Sequence, residues 1–257
     1  MIQENPFQAL KDHPKAGPGP DIPTIPAEEP PVKCSTCRDH GWVVLDVPVE
    51  SPDFGKAFIC SCQREKLKQK RWERCGIPKD RRGETFEAFR RRKGAEEMLA
   101  AALAVRDGTV QLVILCGNCG SGKTHLAHAV VSHALEMGGS ALIIRAADWL
   151  DDLKAAFGEE DGRADGMRAL VNRIPVLAID ELKYRTVFDE ETIDNLITRR
   201  ISAGLRTIIT SNLGIEDLRL VFPRVVSRAR DPRYGRCIWS TATDYREELA
   251  KRGAKNG

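Results

Sequence analysis

The chain has 257 residues, a formal net charge of +3 and 42% hydrophobic residues, which leaves room for one large core or a core plus a small domain. No apolar run approaches the ~20 residues of a membrane span, and the N-terminal residues lack the apolar stretch of a signal peptide. We therefore expect a cytoplasmic protein, whose eight cysteines are metal ligands or free thiols rather than a disulfide framework.

Residues 1–33 are predicted to form a flexible tether. Seven prolines fall between positions 14 and 31, a composition that favours an extended or disordered chain. The first dozen residues are either a short docking peptide or a frayed end.

Residues 34–62 contain two closely spaced cysteine pairs. Cys34 and Cys37 form a CxxC pair, and Cys60 and Cys62 form a CxC pair after a predicted strand and turn. Two thiolate pairs joined by a hairpin are typical of a zinc-ribbon-like module, in which the metal supplies much of the folding energy. His40 could replace one ligand, and four reduced structural cysteines are the alternative.

Residues 63–94 form a strongly basic linker, with 13 Lys and Arg against 5 Asp and Glu, a net charge of +8. Gln63 to Arg74 has the composition of a helix, and Gly76-Ile77-Pro78 ends it. The segment is either a solvated linking helix or a surface for nucleic-acid phosphates or an acidic partner.

Residues 95–257 alternate between helical patterns and short apolar runs, which predicts an α/β domain with a mostly parallel sheet. A helix is predicted up to Asp107, and helices are also predicted after the glycine-rich loop, between positions 147 and 173, and around 190–201. The predicted strands lie at 111–116, 141–145, 175–180, 206–211 and 236–240.

A glycine-rich loop follows the first of these strands and opens a helix. Gly117 to Thr124 matches G-x-x-x-x-G-K-[ST], the P-loop pattern, in which backbone N–H groups and the helix N-terminus face phosphates. Lys123 is predicted to reach the β- and γ-phosphates of a nucleotide, and the Thr124 hydroxyl to ligate Mg²⁺. The alternative is a glycine-rich turn with an incidental lysine.

Acidic and polar residues end the two later strands. Asp180 and Glu181 follow an apolar strand, a Walker B pattern in which Asp180 would hold Mg²⁺ and Glu181 would polarise the attacking water. Asn212 follows the next strand and could contact that water or the γ-phosphate. Arg224 and Arg228 could act as an arginine finger from a neighbouring subunit, although a surface ion-pair helix would look the same.

The order of these motifs resembles the DnaC/DnaI-type helicase loaders, which belong to the AAA+ ATPases together with the IstB transposition ATPases. The resemblance rests on the four-Cys module, GIP at 76–78, Thr85 to Phe89, GNCGSGKTHLA at 117–127, LAIDEL at 177–182, TIITSNL at 207–213, RVVSR at 224–228 and Asp244-Tyr245-Arg246.

That resemblance implies a three-layer P-loop AAA+ core with a five-stranded parallel sheet in the order 5-1-4-3-2 and no separate lid domain. It implies that Asn212 is sensor 1, that Arg228, or else Arg224, is the arginine finger, and that Ile77 lines the adenine pocket. The implied nucleotide contacts are Gly117, Asn118, Cys119, Gly120, Ser121, Gly122, Lys123, Thr124, His125 and Asp180.

The implied function is a slow ATPase, stimulated by assembly or by single-stranded DNA, that places a hexameric replicative helicase on DNA. Its implied partners are single-stranded DNA, further copies of the chain, and the helicase, which would bind the N-terminal region. Its implied cofactors are ATP, Mg²⁺ and Zn²⁺. Two other hypotheses stay open: an IstB-like ATPase that regulates a transposase, and a non-catalytic ATP-binding adaptor.

Overall fold

A computed structural model describes residues 32–159, 161–183, 186–245 and 247, and the chain divides into two compact units, residues 1–58 and 59–257. The tether prediction lies almost wholly outside the described residues, as does Arg246. None of the helices in the described ranges has the length and apolar character that a membrane crossing requires.

Residues 34–59 contain a tight turn followed by β1 (Trp42–Val44), which pairs with β2 (Ala57–Ile59). In the turn, Arg38 and Asp39 have positive φ angles of 48° and 66°. The Asp39 carboxylate accepts hydrogen bonds from the backbone N–H groups of Lys33 and Cys34, both at 2.9 Å. These bonds stabilise a backbone conformation that side-chain-bearing residues adopt rarely.

The second unit is an α/β domain in which helices and strands alternate. Its described elements are α1 (Ser61–Arg74), α2 (Glu96–Arg106), β3 (Leu112–Gly117), α3 (Lys123–Glu136), β4 (Ala141–Arg145), α4 (Ala146–Ala155), α5 (Arg163–Arg173), β5 (Val176–Asp180), α6 (Val187–Ser202), β6 (Arg206–Ser211), α7 (Ile215–Val221), α8 (Pro223–Arg230) and β7 (Gly235–Ser240).

The predicted five-stranded parallel sheet is confirmed. Its strands lie in the order β4-β5-β6-β3-β7, and each neighbouring pair is parallel. Counted from the P-loop strand β3, this is the order 5-1-4-3-2 that the resemblance implies. The P-loop strand therefore lies between two parallel neighbours, and all six of its residues are buried.

Helices cover both faces of the sheet and make a three-layer domain. Side chains alternate along β3, so that Val113 and Leu115 pack into one core cluster with α2 and α3, whereas Leu112 and Ile114 pack into a second with α4, α6 and α8. Burial on both faces explains why β3 is an uninterrupted apolar run.

The segment after α1 pairs with β4, the strand at one edge of the sheet. The Cys75 carbonyl oxygen accepts a hydrogen bond of 2.8 Å from the backbone N–H of Ile143. Gly76 follows with φ +83°, and a Cβ at this position would overlap the Ile143 carbonyl oxygen. Glycine is thus required both for the backbone angle and for this close approach.

Candidate functional site

A cavity of ≈ 360 Å³ lies where β3, β5 and β6 end, at the carboxyl edge of the parallel sheet, where α/β proteins bind ligands. Its lining residues come from the P-loop, from the ends of the strands and from the segment before α2. They are Arg81, Glu84, Ala88, Phe89, Arg90, Arg92, Cys119, Gly120, Gly122, Lys123, Thr124, His125, Glu181, Thr210, Asn212 and Tyr245.

Glycines shape the loop in a way that other residues could not. Gly120 and Gly122 have φ angles of +70° and +101°. A Cβ at Gly120 would overlap the Asp244 carboxylate, and a Cβ at Gly122 would lie 2.8 Å from the Phe89 ring. The predicted strand–loop–helix context of the P-loop is present, with the loop leading directly into α3.

The Lys123 ammonium is held over the loop itself. Its Nζ donates to the carbonyl oxygens of Gly117 and Asn118, both at 2.8 Å, and lies 3.3 Å from Ser121 Oγ. Burial lowers the pKa of Lys123 from its ordinary value. A phosphate in the cavity would therefore replace neutral carbonyl partners of this cation with a charged one.

Thr124 and Asp180 meet, although they are 56 residues apart. The Thr124 hydroxyl donates to Asp180 Oδ1 at 2.9 Å, and the Thr210 hydroxyl donates to the same oxygen at 2.5 Å. Two hydroxyls and a carboxylate are hard oxygen ligands of the kind that Mg²⁺ prefers. The donor set therefore fits the predicted magnesium ligands, Thr124 and Asp180.

Glu181 lies beside this cluster with an unusual backbone angle. Its φ is +55°, and its backbone N–H donates to Thr210 Oγ1 at 3.0 Å. The Arg145 guanidinium donates to Glu181 Oε2 from Nη2 at 2.8 Å and from Nε at 3.2 Å. This hydrogen bonding holds the pKa of Glu181 below its ordinary value, so the carboxylate is kept ionised.

The segment before α2 supplies one wall of the cavity, which was not predicted. His128 Nδ1 lies 2.6 Å from Glu84 Oε2, and His125 Nε2 lies 2.8 Å from the Thr85 carbonyl oxygen. Burial alone would raise the pKa of Glu84, but the His128 hydrogen bond and neighbouring cations hold it below its ordinary value. The Phe89 ring meets the His125 ring edge-on, with centroids 5.3 Å apart.

Arg92 joins the P-loop to the segment after β7. Its Nη2 donates to the carbonyl oxygens of Gly120 and Ser121, both at 3.2 Å, and its Nη1 donates to that of Thr243 at 3.0 Å. The guanidinium also lies 5.0 Å from the centroid of the Tyr245 ring, within cation–π range. Neither Arg92 nor Tyr245 was predicted as a site residue.

Of two further predicted site residues, Asn212 lines the cavity and Ile77 does not. Asn212 is exposed and lines it. Ile77 is 5% exposed and packs in the core cluster with α2 and α3, and it is not among the lining residues. Side chains between positions 81 and 92 line the cavity instead of Ile77.

The two candidate arginine fingers lie on α8 and do not line the cavity of their own chain. Arg224 Nη1 is 3.4 Å from Asp194 Oδ2, and Arg228 Nη1 is 3.6 Å from Asp194 Oδ1. Asp194 is almost fully buried on α6, whereas the Arg224 side chain is 78% exposed. One carboxylate thus orients both guanidinium groups.

The four N-terminal cysteines cluster. The sulfur atoms of Cys34, Cys37, Cys60 and Cys62 all lie within 4.8 Å of one another, and His40 is not a member of this group. The Cys37 sulfur accepts a hydrogen bond of 3.3 Å from the backbone N–H of Gly41. Two further cysteines flank the start of the P-loop: Cys116, at the end of β3, is buried, and Cys119 is exposed.

The sequence profile of a family described as IstB-like ATP binding protein matches residues 62–226. The matched range contains the P-loop, the Walker B strand and Arg224, and it ends two residues before Arg228. The chain belongs to this family. It is therefore an ATP-binding protein with an AAA+-type α/β fold.

Relatives of this IstB-like chain are named as DNA replication proteins. It is 29% identical to the replicative helicase loader DnaC of Escherichia coli strain K12 over 136 residues. The aligned region covers 52% of this chain and 54% of that protein. The chain thus spans about half the length of the named relatives it matches.

Two solved structures resemble the fold. A crystal structure of the DnaC helicase loader has a TM-score of 0.54 and 21% identity, covering 64% of this chain and all of that one. A structure of the replication initiator DnaA bound to AMPPCP and single-stranded DNA has a TM-score of 0.55 and 19% identity, covering 67% and 54%. At these identities the likeness establishes the fold alone.

Proposed function

We propose that the chain is an ATPase that loads a replicative hexameric helicase onto DNA. The contact between Thr124 and Asp180 supports the ATPase part of this proposal most directly, since it joins the P-loop and Walker B motifs beside one cavity. Here Lys123 and the loop N–H groups bind the phosphates, Glu181 takes the proton of the attacking water, and Asn212 orients that water.

Magnesium would be held by Thr124 and Asp180, where it would offset the charge of the ATP phosphates. Thr210 donates a hydrogen bond to the Asp180 carboxylate and accepts one from the Glu181 backbone N–H. It would thereby orient Asp180 towards magnesium and Glu181 towards the attacking water. Glu181→Gln should bind ATP with unchanged affinity and lose turnover. Equal rates for wild type and Glu181→Gln, with ATP bound by both, would instead support the non-catalytic adaptor.

Self-association would complete the site. Because Arg224 and Arg228 lie away from their own cavity and are oriented by Asp194, we propose that Arg228 acts on the nucleotide of a neighbouring copy, with Arg224 as the second candidate. Mixing Arg228→Ala with Glu181→Gln chains tests this. Each variant should be inactive alone, and the mixture should regain activity, since some interfaces combine an intact Glu181 with an intact Arg228.

Helicase and single-stranded DNA are the proposed partners because the named relative is a helicase loader and the fold is shared with a DNA-bound initiator. We place the helicase contact in the N-terminal region. The cognate hexameric helicase should co-purify with the full chain and with residues 1–90. If the full chain binds the helicase and residues 1–90 do not, the contact lies elsewhere; no binding by either opposes the loader function.

Zinc is the proposed ligand of Cys34, Cys37, Cys60 and Cys62. Tetrahedral zinc with Zn–S distances of ~2.3 Å places its sulfur ligands about 3.8 Å apart, which is compatible with a cluster spanning 4.8 Å. The Cys34→Ser/Cys37→Ser protein should contain no zinc by elemental analysis, whereas wild type should contain one equivalent. Equal metal content in both would refute the site.

A second candidate, regulation of a transposase, is favoured by the family match itself, because the matched profile is that of an IstB-like protein. It predicts association with a transposase and no effect on helicase loading. Comparing helicase loading on single-stranded DNA with and without ATP separates the two, since only the loader hypothesis predicts stimulation.

A further inference from the structure

A second concavity, of ≈ 730 Å³, lies in the ATP-binding unit, between α1, the end of α3, the start of β4 and α5. We call it the α1–α5 groove. It shares no lining residue with the nucleotide cavity, and the proposed ATPase and loader functions do not use it.

The floor of the groove is aliphatic. It is formed by Leu67, Leu135, Leu142, Leu170 and Ile174. Leu135 and Leu142 are buried parts of the core, whereas the Leu170 side chain is 54% exposed. A concave apolar surface with a polar rim is the kind of patch that marks an interaction site.

The rim is basic and lacks an internal counter-charge. Lys70, Arg71, Arg74 and Arg173 line the groove, and no lining residue is acidic. Within the described part of the chain, none of these four cations forms a hydrogen bond or ion pair. Two acids on α3 and α1 have other partners: Glu136 pairs with Lys68 at 2.7 Å, and Glu73 accepts a hydrogen bond from Gln69 at 3.1 Å.

Helix α1 is also weakly packed for a helix of 14 residues, because none of its residues is buried. A partner bound in the groove would cover its inner face, where apolar Leu67 lies beside Lys70, Arg71 and Arg74. Groove binding of an amphipathic helix buries apolar side chains at i, i+3, i+4 and i+7 and leaves its polar face at the rim.

We propose that the α1–α5 groove binds an acidic amphipathic segment of a partner protein, with leucine-like side chains on the floor and carboxylates at the four rim cations. Single-stranded nucleic acid would also meet the cations, but its bases stack on aromatic side chains, and no lining residue of the groove is aromatic. The aliphatic floor therefore favours a peptide.

The test is a selection followed by a binding measurement, both on the full chain. A displayed library of random 14-residue peptides is selected on wild type, with free Arg71→Glu/Arg74→Glu protein as competitor. Selected peptides are then synthesised with a fluorophore and titrated by anisotropy. Arg64→Glu/Lys66→Glu is the matched control, because it makes the same charge change at exposed positions of α1 outside the groove.

Selected peptides should be enriched in Asp and Glu with Leu or Ile at helical spacing. Their dissociation constant should rise about tenfold or more in Arg71→Glu/Arg74→Glu and in Leu170→Glu, and should change less than about twofold in the control. ATP affinity should be equal in all four proteins, which verifies folding.

Two results would overturn the proposal. The first is that the selected peptides lack acidic enrichment, or that they bind the groove variants and the control with equal affinity. The second is that no peptide requires the groove, whereas a fluorescent dT20 oligonucleotide binds wild type and loses its binding in Arg71→Glu/Arg74→Glu. That second result would assign the surface to nucleic acid.

Discussion

Thr210 is expected to control turnover through its hydrogen bonds to the Asp180 carboxylate and the Glu181 backbone. Thr210→Val keeps the shape of the side chain but removes the donor to Asp180 and the acceptor for Glu181 N–H. A hydrogen bond to a carboxylate is worth about 1.5–3 kcal/mol, and Glu181 holds a backbone angle that costs about 1–3 kcal/mol. If most of this hydrogen-bond energy is lost from the stabilisation of the transition state, kcat falls about 10- to 100-fold.

The assay compares steady-state ATP hydrolysis, equilibrium binding of a fluorescent ATP analogue and Tm. Thr207→Val is the matched control. Thr207 lies on the same strand and is 2% exposed, compared with 1% for Thr210. Its replacement by valine also removes a buried hydrogen bond, the one that Arg200 Nε donates at 2.9 Å. Both variants should lose a similar few degrees of Tm, and ATP affinity should change little. Equal loss of kcat in both variants would refute a positioning role for Thr210.

The other predictions concern Arg145, Arg200 and Cys119. Arg145→Gln should move the acidic limb of the ATPase pH profile to higher pH, because the pKa of Glu181 would no longer be held down; an unmoved limb would contradict this. Arg200→Met should lower Tm by roughly 6–12 °C, since the fully buried Arg200 donates to three carbonyl groups; an unchanged Tm would contradict it. N-ethylmaleimide should block ATP binding through exposed Cys119, and Cys119→Ser should be resistant; equal inhibition of both proteins would place the reactive thiol elsewhere.

Local sequence predicted the features of the fold that depend on neighbouring residues. Each strand of the parallel sheet is a short apolar run, because helices bury both of its faces, and each P-loop glycine occupies a position whose backbone angle the motif requires. Helix α7 was missed. It has seven residues, which is too few for a periodic pattern to be recognised.

The site residues that were missed depend on tertiary contacts. Arg145 ends β4, and its position beside Asp180 follows only from the parallel register of β4 and β5. Arg92 and Thr243 are 151 residues apart, yet they are hydrogen-bonded. Thr210 lies two residues before the predicted Asn212, and its role becomes visible only when β5 and β6 are paired. Spacing along one chain could identify the motifs but not the residues that orient them.

The backbone pairing between Cys75 and Ile143 has a practical consequence for dissecting the protein. Without this segment the Ile143 N–H would be open at the edge of the sheet, and open edges recruit strands from other molecules. An isolated ATPase fragment that begins after Gly76 would expose this group and the neighbouring edge of β4. It should aggregate on purification, whereas a fragment beginning at Ile59 should stay monodisperse, so the basic linker acts as a guard against aberrant strand addition.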